Sequence, residues 1–238
     1  MDFKLNKETA ELAGVIAGDG YLHKFANRII IKGSIDDFYY YVNYLIPSFI
    51  KNFNIKPILY KQKNKNSYFL QIENKNVFSF FVKELGMNRG PKFLKISIPK
   101  KIMLNKGFSK AFIRGLFDTD GGLKFSKQNK KFNYYPRIRI YSKKSLMTEQ
   151  VKIILDKFKF KYSRSLDRRM GSDINTYEIS GFKNLNKWLK LIGTSNPVNI
   201  SKVLFLKKKG FYKPNLSLLE RLKILNYSIR DLYLKKVI

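Results

Sequence analysis

The sequence predicts an α+β fold: two pseudo-symmetric αββαββα repeats, each with a curved, four-stranded antiparallel sheet, packed through two matched helices. Three observations predict it. An apolar helix with an internal glycine, closed by Asp-Gly, occurs twice, as ELAGVIAGDG from Glu11 and within FSKAFIRGLFDTDGG from Phe108. In both copies the glycine stands five residues before the aspartate, Gly14 before Asp19 and Gly115 before Asp120. The ends of the two halves also align, IENKNVFSFFVKELG against ISGFKNLNKWLKLIG, with Phe81 opposite Trp188. A self-similar unit of this length is an internal duplication.

The elements follow in order. Asn6 is placed to cap a first helix that runs to about Gly18. Tyr21 to Lys32 reads as a hairpin: a strand to Phe25, a turn at Ala26-Asn27, and a β-branched strand from Arg28. Residues 35–53 show helical spacing at Phe38, Val42, Leu45 and Phe49, with Pro47 expected to kink the helix. ILYKQK and SYFLQI form a second hairpin across Asn64-Lys65-Asn66, and Asn76 to Leu85 is a helix stopped by Gly86. In the second half Ser109 is expected to cap the motif helix. Strands follow near Leu123–Ser126 and Tyr134–Tyr141, then a helix from Leu146 to Phe158. Tyr162–Arg169 and Asn175–Ser180 pair across Met170-Gly171-Ser172-Asp173, and Leu185–Ile192 closes on Gly193. The expected bounds are 1–100 and 101–206 for the repeats and 207–238 for a basic tail. In that tail, Ser217 and Glu220 form a capping box for a helix to about Lys236. Leu218, Leu222, Leu225, Ile229 and Leu232 make its apolar stripe, and Lys207 to Lys209 are placed to touch phosphate.

The internal glycines carry the first chemical inference. Gly costs about 1 kcal/mol against Ala within a helix, so two at matched positions indicate close approach of helix backbones. Gly14 and Gly18, like Gly115 and Thr119, are four apart and share a face. Pressing those faces together brings Asp19 and Asp120 side by side at helix C-termini, where two anions and two dipole ends repel. A hard divalent cation with oxygen ligands relieves this, and paired carboxylates holding metal ions suit in-line displacement at phosphorus. The plainer reading, that each Asp-Gly merely stops a helix, does not account for the shared register.

Composition agrees. Lys and Arg number 48 against 17 acids, a net charge of +31, which points to a polyanionic partner. An A+T-rich gene would supply part of that excess through its lysine codons. The absence of Cys excludes disulfides and thiolate metal sites. No apolar run approaches about 18 residues and no signal peptide opens the chain, so neither a membrane span nor export is expected.

The two copies resemble the signature of the LAGLIDADG homing endonucleases. LAGVIAGDG matches it at Leu12, Ala13, Gly14, Ile16, Asp19 and Gly20; IRGLFDTDG matches at Gly115, Leu116, Asp118, Asp120 and Gly121. IPKKIMLNKGFSKAF, ahead of the second copy, resembles the usual lead-in. The resemblance implies that Asp19 and Asp120 are the metal-binding carboxylates, with Gly18 and Thr119 lending backbone carbonyls. Ala17 departs from the signature's Asp, which Asp118 keeps; that position is not an essential ligand. Arg114 replaces a small residue and is expected to point away from the helix contact. The resemblance further implies a basic residue from the sheet beside each carboxylate, for which Lys32 and Lys124 are the candidates. It implies Mg²⁺, two or three ions, with Mn²⁺ substituting and Ca²⁺ binding without cleavage. It implies a double-strand break with 3′ extensions, made by a freestanding or intron-encoded protein inside a prokaryotic cytoplasm or an organelle. No obligate protein partner is expected.

Duplication with one carboxylate per half matches the local twofold of duplex DNA, so a monomer can address a long, non-palindromic site. One face of each sheet is available to the groove. Arg137, Arg139 and Tyr141 share a strand face opposite Ile138 and Ile140, and Arg can read guanine bidentately. Lys61 and Lys63 alternate likewise, as do Arg164 and Arg168, with Arg169 beside them. A merely solvated basic face is the rival reading for each. His23, the only histidine, reads as a hairpin side chain facing DNA or water rather than a general base. Intron RNA is the alternative partner, through a maturase that assists splicing without cutting. Retention of both aspartates favours cleavage over that role and over a DNA-binding regulator.

Overall fold

Asn6 opens helix α1 (Lys7–Gly18): its side chain accepts from the Thr9 amide while the Thr9 hydroxyl accepts from the Asn6 amide. Its counterpart α6 (Lys106–Asp120) is capped by Asn105, which accepts from the Gly107 and Phe108 amides. Ser109, the expected cap, instead lies one turn inside the helix. There it is buried, donating to the Ile102 carbonyl of the short helix α5 (Lys100–Leu104). The computed structural model describes residues 3–63, 65–92, 95–167 and 173–234.

The motif helices meet backbone to backbone. A Cβ on Gly14 would land on the Phe112 carbonyl oxygen and stand 2.9 Å from its carbonyl carbon; one on Gly115 would strike the Glu11 carbonyl. Glycine at both positions is therefore a steric requirement of this pair. Leu12, Ile16, Phe112, Leu116 and Phe117 fill the surroundings, part of one core that runs through both halves.

Each carboxylate is followed at once by a strand. β1 (Gly20–Leu22) and β2 (Arg28–Ser34) join β3 (Ile58–Lys61) and β4 (Ser67–Glu73) in the antiparallel order β1-β2-β4-β3. β5 (Gly121–Ser126), β6 (Tyr135–Lys143), β7 (Ser163–Asp167) and β8 (Ile174–Ser180) repeat it as β5-β6-β8-β7. The registers correspond, Gly20 opposite Ile31 and Gly121 opposite Ile140. Ile29, Ile31, Leu70 and Ile72 in one sheet, and Ile138, Ile140, Tyr177 and Ile179 in the other, are buried against helices. The alternate residues form the open faces.

The helical layer departs from simple periodicity. Residues 35–53 pass from a 3₁₀ turn (Ile35–Asp37) through α2 (Phe38–Tyr40) and a π turn (Tyr41–Leu45) to α3 (Ile46–Phe53). Pro47 has no N–H to give to the preceding turn, and the wide π turn just before it absorbs the missing bond. The extra residue rotates the face, so Tyr41 is buried and Val42, expected in the apolar stripe, is 39% exposed. α4 (Lys75–Ser79), capped by Asn74, likewise runs into a π turn (Phe80–Glu84). α7 (Leu146–Lys157) and α8 (Phe182–Leu191) complete the second repeat.

The expected strand to Phe25 ends at Leu22. His23 Nδ1 accepts from the Phe25 and Ala26 amides, folding 23–26 into a turn. The 170–173 hairpin turn lies outside the described residues save Asp173, as does Asn64 of the other.

A further helix, α9 (Pro197–Lys209), had no signal as an amphipathic stripe because it is buried on two sides. Val203 and Leu206 face the main core, while Ile200, Leu204 and Phe205 face a second cluster made with the tail. The tail helix is not continuous to Lys236: α10 (Leu218–Leu225) stops at Asn226 in the left-handed region, and α11 (Ile229–Leu234) restarts after Ser228. Its five predicted stripe residues all pack in that second cluster. No described helix is long and apolar enough to cross a membrane.

Arg114 does not point away from the helix contact. It pairs with the fully buried Glu11 of α1, whose carboxylate also accepts from Tyr44 Oη at 2.7 Å and Ser195 Oγ at 2.6 Å. Burial of an acid on one motif helix demands a cation from the other. Arg114→Ala should lower unfolding stability by about 3 kcal/mol, read by denaturant titration, because Glu11 would remain buried without its cation.

Candidate active site between the motif helices

Asp19 is the C-cap of α1 and Asp120 the last residue of α6, so the glycine contact one turn back sets their separation. A Cβ on Gly18 would stand 3.5 Å from the Asp120 carboxyl carbon, which places the second carboxylate beside the end of the first helix. Both carboxyls are pushed upward. Burial is the chief cause for each; for Asp19 the neighbouring Asp120 and then Asp37 add to it, reaching about 7.

A cation already answers this pair. Lys92, from the segment joining the repeats, donates to the Ala17 carbonyl at 2.8 Å and to the Gly18 carbonyl. Burial lowers its ammonium to about 8 against the opposing pull of Asp120 and Asp19. Lys143, at the end of β6, is the other cation whose charge reaches Asp120. Lys92, Lys143 and Asp120 line one cleft together with Gly18, Tyr21, Tyr141 and Met147.

The donor set fits a hard divalent ion. Among the described residues no cluster of three or more His, Cys, Asp or Glu exists, so the protein offers two carboxylates and backbone oxygen. Gly18 supplies such an oxygen, and the Lys92 ammonium shows that a positive charge is accommodated there. Thr119 stands at the matching place on α6, its hydroxyl turned back to the Gly115 and Leu116 carbonyls at 3.0 and 3.1 Å.

Lys32 and Lys124 lie apart from the cleft's cations. Lys32 is exposed on the open face of β2, its amide donating to the Asp19 carbonyl at 3.2 Å. Lys124 is exposed on β5, opposite Arg137, with its ammonium 6.0 Å from the Tyr141 ring centre. Neither is among the charges that move the two carboxyls; Lys92 and Lys143 are. Sequence reasoning missed Lys92 because no periodicity links it to either aspartate, although it lies in the short segment between the repeats.

Arg137, Arg139 and Tyr141 do share the open face of β6. Both arginines are tied to Glu178 of β8, Arg139 Nε at 2.6 Å, and Arg137 Nε also donates to Ser126 Oγ at 2.9 Å. The guanidinium planes are thus held in fixed orientation. Arg164 sits on the other side of its sheet: it is opposite the buried Tyr177 and pairs with Glu149 of α7 at 2.6 Å. Lys61 and Lys63 are exposed at the β3 end, Lys61 in the parity of Leu59, which packs on the core. Arg168 and Arg169 lie outside the described residues.

Asp118 takes no part in the cleft. It is 4% exposed and accepts from Thr194 Oγ1, the Ser195 amide at 2.6 Å, the Asn196 amide at 3.2 Å and Asn199 Nδ2 at 3.3 Å. Burial still pushes it up to about 7 against the pull of the Thr194 and Ser195 donors. It anchors the turn that starts α9. At the corresponding place in the first half, Ala17 lines a small cavity with Met87.

Two four-stranded sheets are carried on a pair of glycine-packed helices, each ending in a carboxylate, which is the layout of the double-motif LAGLIDADG fold. Residues 107–193 match the LAGLIDADG-like domain family. The fold is that of solved homing endonucleases. Mesophilic variants of I-DmoI superpose with a TM-score of 0.53 at 22% identity, covering 79% of this chain and 95% of theirs. I-DmoI in complex with DNA and Mn gives 0.54 at 23% identity, covering 79% and 96%. I-WcaI bound to its DNA recognition sequence gives 0.57 at 18% identity, covering 81% and 83%. A replication factor C small subunit of Methanocaldococcus jannaschii is 32% identical over 118 residues, 50% of this chain. The chain spans only 6% of that protein's length.

Proposed function

We propose that the chain is a divalent-metal-dependent DNA endonuclease that acts as a monomer on a long, asymmetric duplex site. The observation that carries this reading is the pairing of Asp19 and Asp120 across the motif helices, beside a backbone carbonyl that already holds a cation. Mg²⁺ held by Asp19, Asp120 and the Gly18 and Thr119 carbonyls would activate water and stabilise the leaving oxygen. The protein's own part is positioning. The helix pair fixes the carboxylates' separation, the two sheets present their open faces to the duplex on either side, and Arg137 and Arg139 enter the groove pre-oriented by Glu178. The solved relatives in complex with DNA and Mn, or with target DNA and Mg, support this reading. So does a charge of +31. A break with 3′ extensions belongs to the same proposal, with Mn²⁺ able to replace Mg²⁺ and Ca²⁺ supporting binding only.

The test is incubation with a randomised duplex library and Mg²⁺, followed by sequencing of cut ends. Cuts at one long site establish the nuclease; tight binding without cuts under Mg²⁺ or Mn²⁺ overturns it and makes intron RNA the next ligand to assay. Lys92 gives a second check. Lys92→Met should lower the single-turnover cleavage rate by about 10²-fold, the usual scale for losing a positioned proton donor or charge. Duplex affinity, measured with Ca²⁺, should stay within about threefold, since one phosphate contact among many is removed.

A further inference from the structure

The outer end of the second sheet carries an aromatic surface that faces away from the open side. Tyr134 enters β6 just before Tyr135, so alternation turns it from the face that holds Arg137. It stacks on Phe182, the first residue of α8, with ring centres 6.2 Å apart. Phe132 adjoins both Tyr134 at 6.0 Å and Phe211, just past α9, at 5.8 Å. A bridge between Asn133 and Tyr212 fixes the hairpin tip to that segment. The rings are not core: Phe132 is 44%, Phe182 43% and Phe211 38% exposed.

One cation lies over two of them. The Lys130 ammonium stands 5.5 Å from the centre of Phe132 and 4.7 Å from that of Tyr134. Residues 127–135, 182–184 and 204–214, which build this rim, contain lysines but no acid. A second copy of so basic a chain would be repelled here, and an uncharged apolar partner would bury these ammonium groups uncompensated. Part-exposed rings set among lysines match unpaired bases on a phosphate backbone, by stacking and charge together. Duplex bases present only edges, whereas the unstacked bases of RNA loops can be splayed out onto aromatic side chains.

We propose that Phe132, Tyr134, Phe182 and Phe211 form a stacking platform for unpaired bases of an RNA strand, with Lys130 and its neighbours holding the phosphates. The site is separate from the cleft and stands or falls independently of cleavage. The experiment is fluorescence anisotropy with labelled oligouridine, oligothymidine and a DNA duplex, on the full chain and on a Phe132→Ala, Phe211→Ala double variant. Oligouridine affinity should fall about tenfold or more, the scale of losing aromatic stacking partners, while duplex affinity changes less than about twofold. Unchanged oligouridine binding overturns the proposal, as does a parallel loss on duplex. Oligothymidine bound as tightly, with the same loss, overturns the assignment to RNA. Phe132→Trp keeps the ring and guards against misfolding of the double variant. Its exposed indole should be quenched by oligouridine, over a background from Trp188, which is 1% exposed; absence of quenching also counts against the platform.

Discussion

Asp19→Asn and Asp120→Asn should each abolish double-strand cleavage, by about 10³-fold or more, while duplex binding with Ca²⁺ survives. Under the proposed function, losing one of two charges that would hold the metal removes several kcal/mol of transition-state stabilisation, and each 1.36 kcal/mol is tenfold in rate. The same substitutions should have the opposite effect on the metal-free fold. Asp19 is raised to about 7 by burial and by Asp120, so near pH 8 its charge is held buried beside the second carboxyl. For an acid whose folded pKa exceeds its unfolded value, the native state binds more protons, and stability falls as pH rises between the two. Metal-free wild type should therefore lose thermal stability from about pH 4 to pH 7. Asp118 and Asp37, also raised, contribute in the same sense. Asp19→Asn should flatten that slope and melt a few degrees higher at pH 8, at about 2–4 °C per kcal/mol for a chain of this size. A variant that melts lower at pH 8 would show that the pair is not repulsive. Binding that vanishes with cleavage would show that the carboxylates serve the fold.

The second large effect concerns the helix contact. Gly115→Ala would drive a methyl onto the Glu11 carbonyl and to 2.9 Å from the Val15 amide nitrogen, and Gly14→Ala would do the same at Phe112. Neither obstacle is the end of a flexible side chain, so the helices must separate. The expected cost is about 3 kcal/mol or more, the upper range of overpacking, seen as a fall in denaturation midpoint. Gly122→Ala is the control, because nothing stands within 4 Å of its would-be Cβ. Equal tolerance at Gly115 and Gly122 would contradict the packing described. The effect on cleavage should exceed the effect on stability, since the same contact sets the distance between Asp19 and Asp120.

What the sequence disclosed follows from how each feature is encoded. The motif helices, their glycines and the terminal aspartates repeat in register, so duplication revealed both the fold and the two carboxylates. The open face of β6 was legible because alternation of Arg137, Ile138, Arg139 and Ile140 is a local pattern. Long-range pairing was not. Glu11 and Arg114 are one buried ion pair, yet each reads as an ordinary helix charge. Lys92 is brought to Gly18 by the fold of a whole repeat. Arg164 lies on an edge strand whose residues are nearly all exposed, so period two could not say which side meets the helices. α9 escaped detection because burial on two sides removes the polar face that marks a surface helix.

The glycine contact also bears on when, as the chain is made, the two carboxylates meet. α1 and α6 lie about a hundred residues apart, and closing so long a loop comes late relative to contacts made within each repeat. During synthesis the first half emerges with Asp19 at a helix end and no second carboxylate to face it. The pair of carboxylates exists only once both halves have folded and docked. A partly made chain is already basic, yet it carries only one carboxylate of the pair.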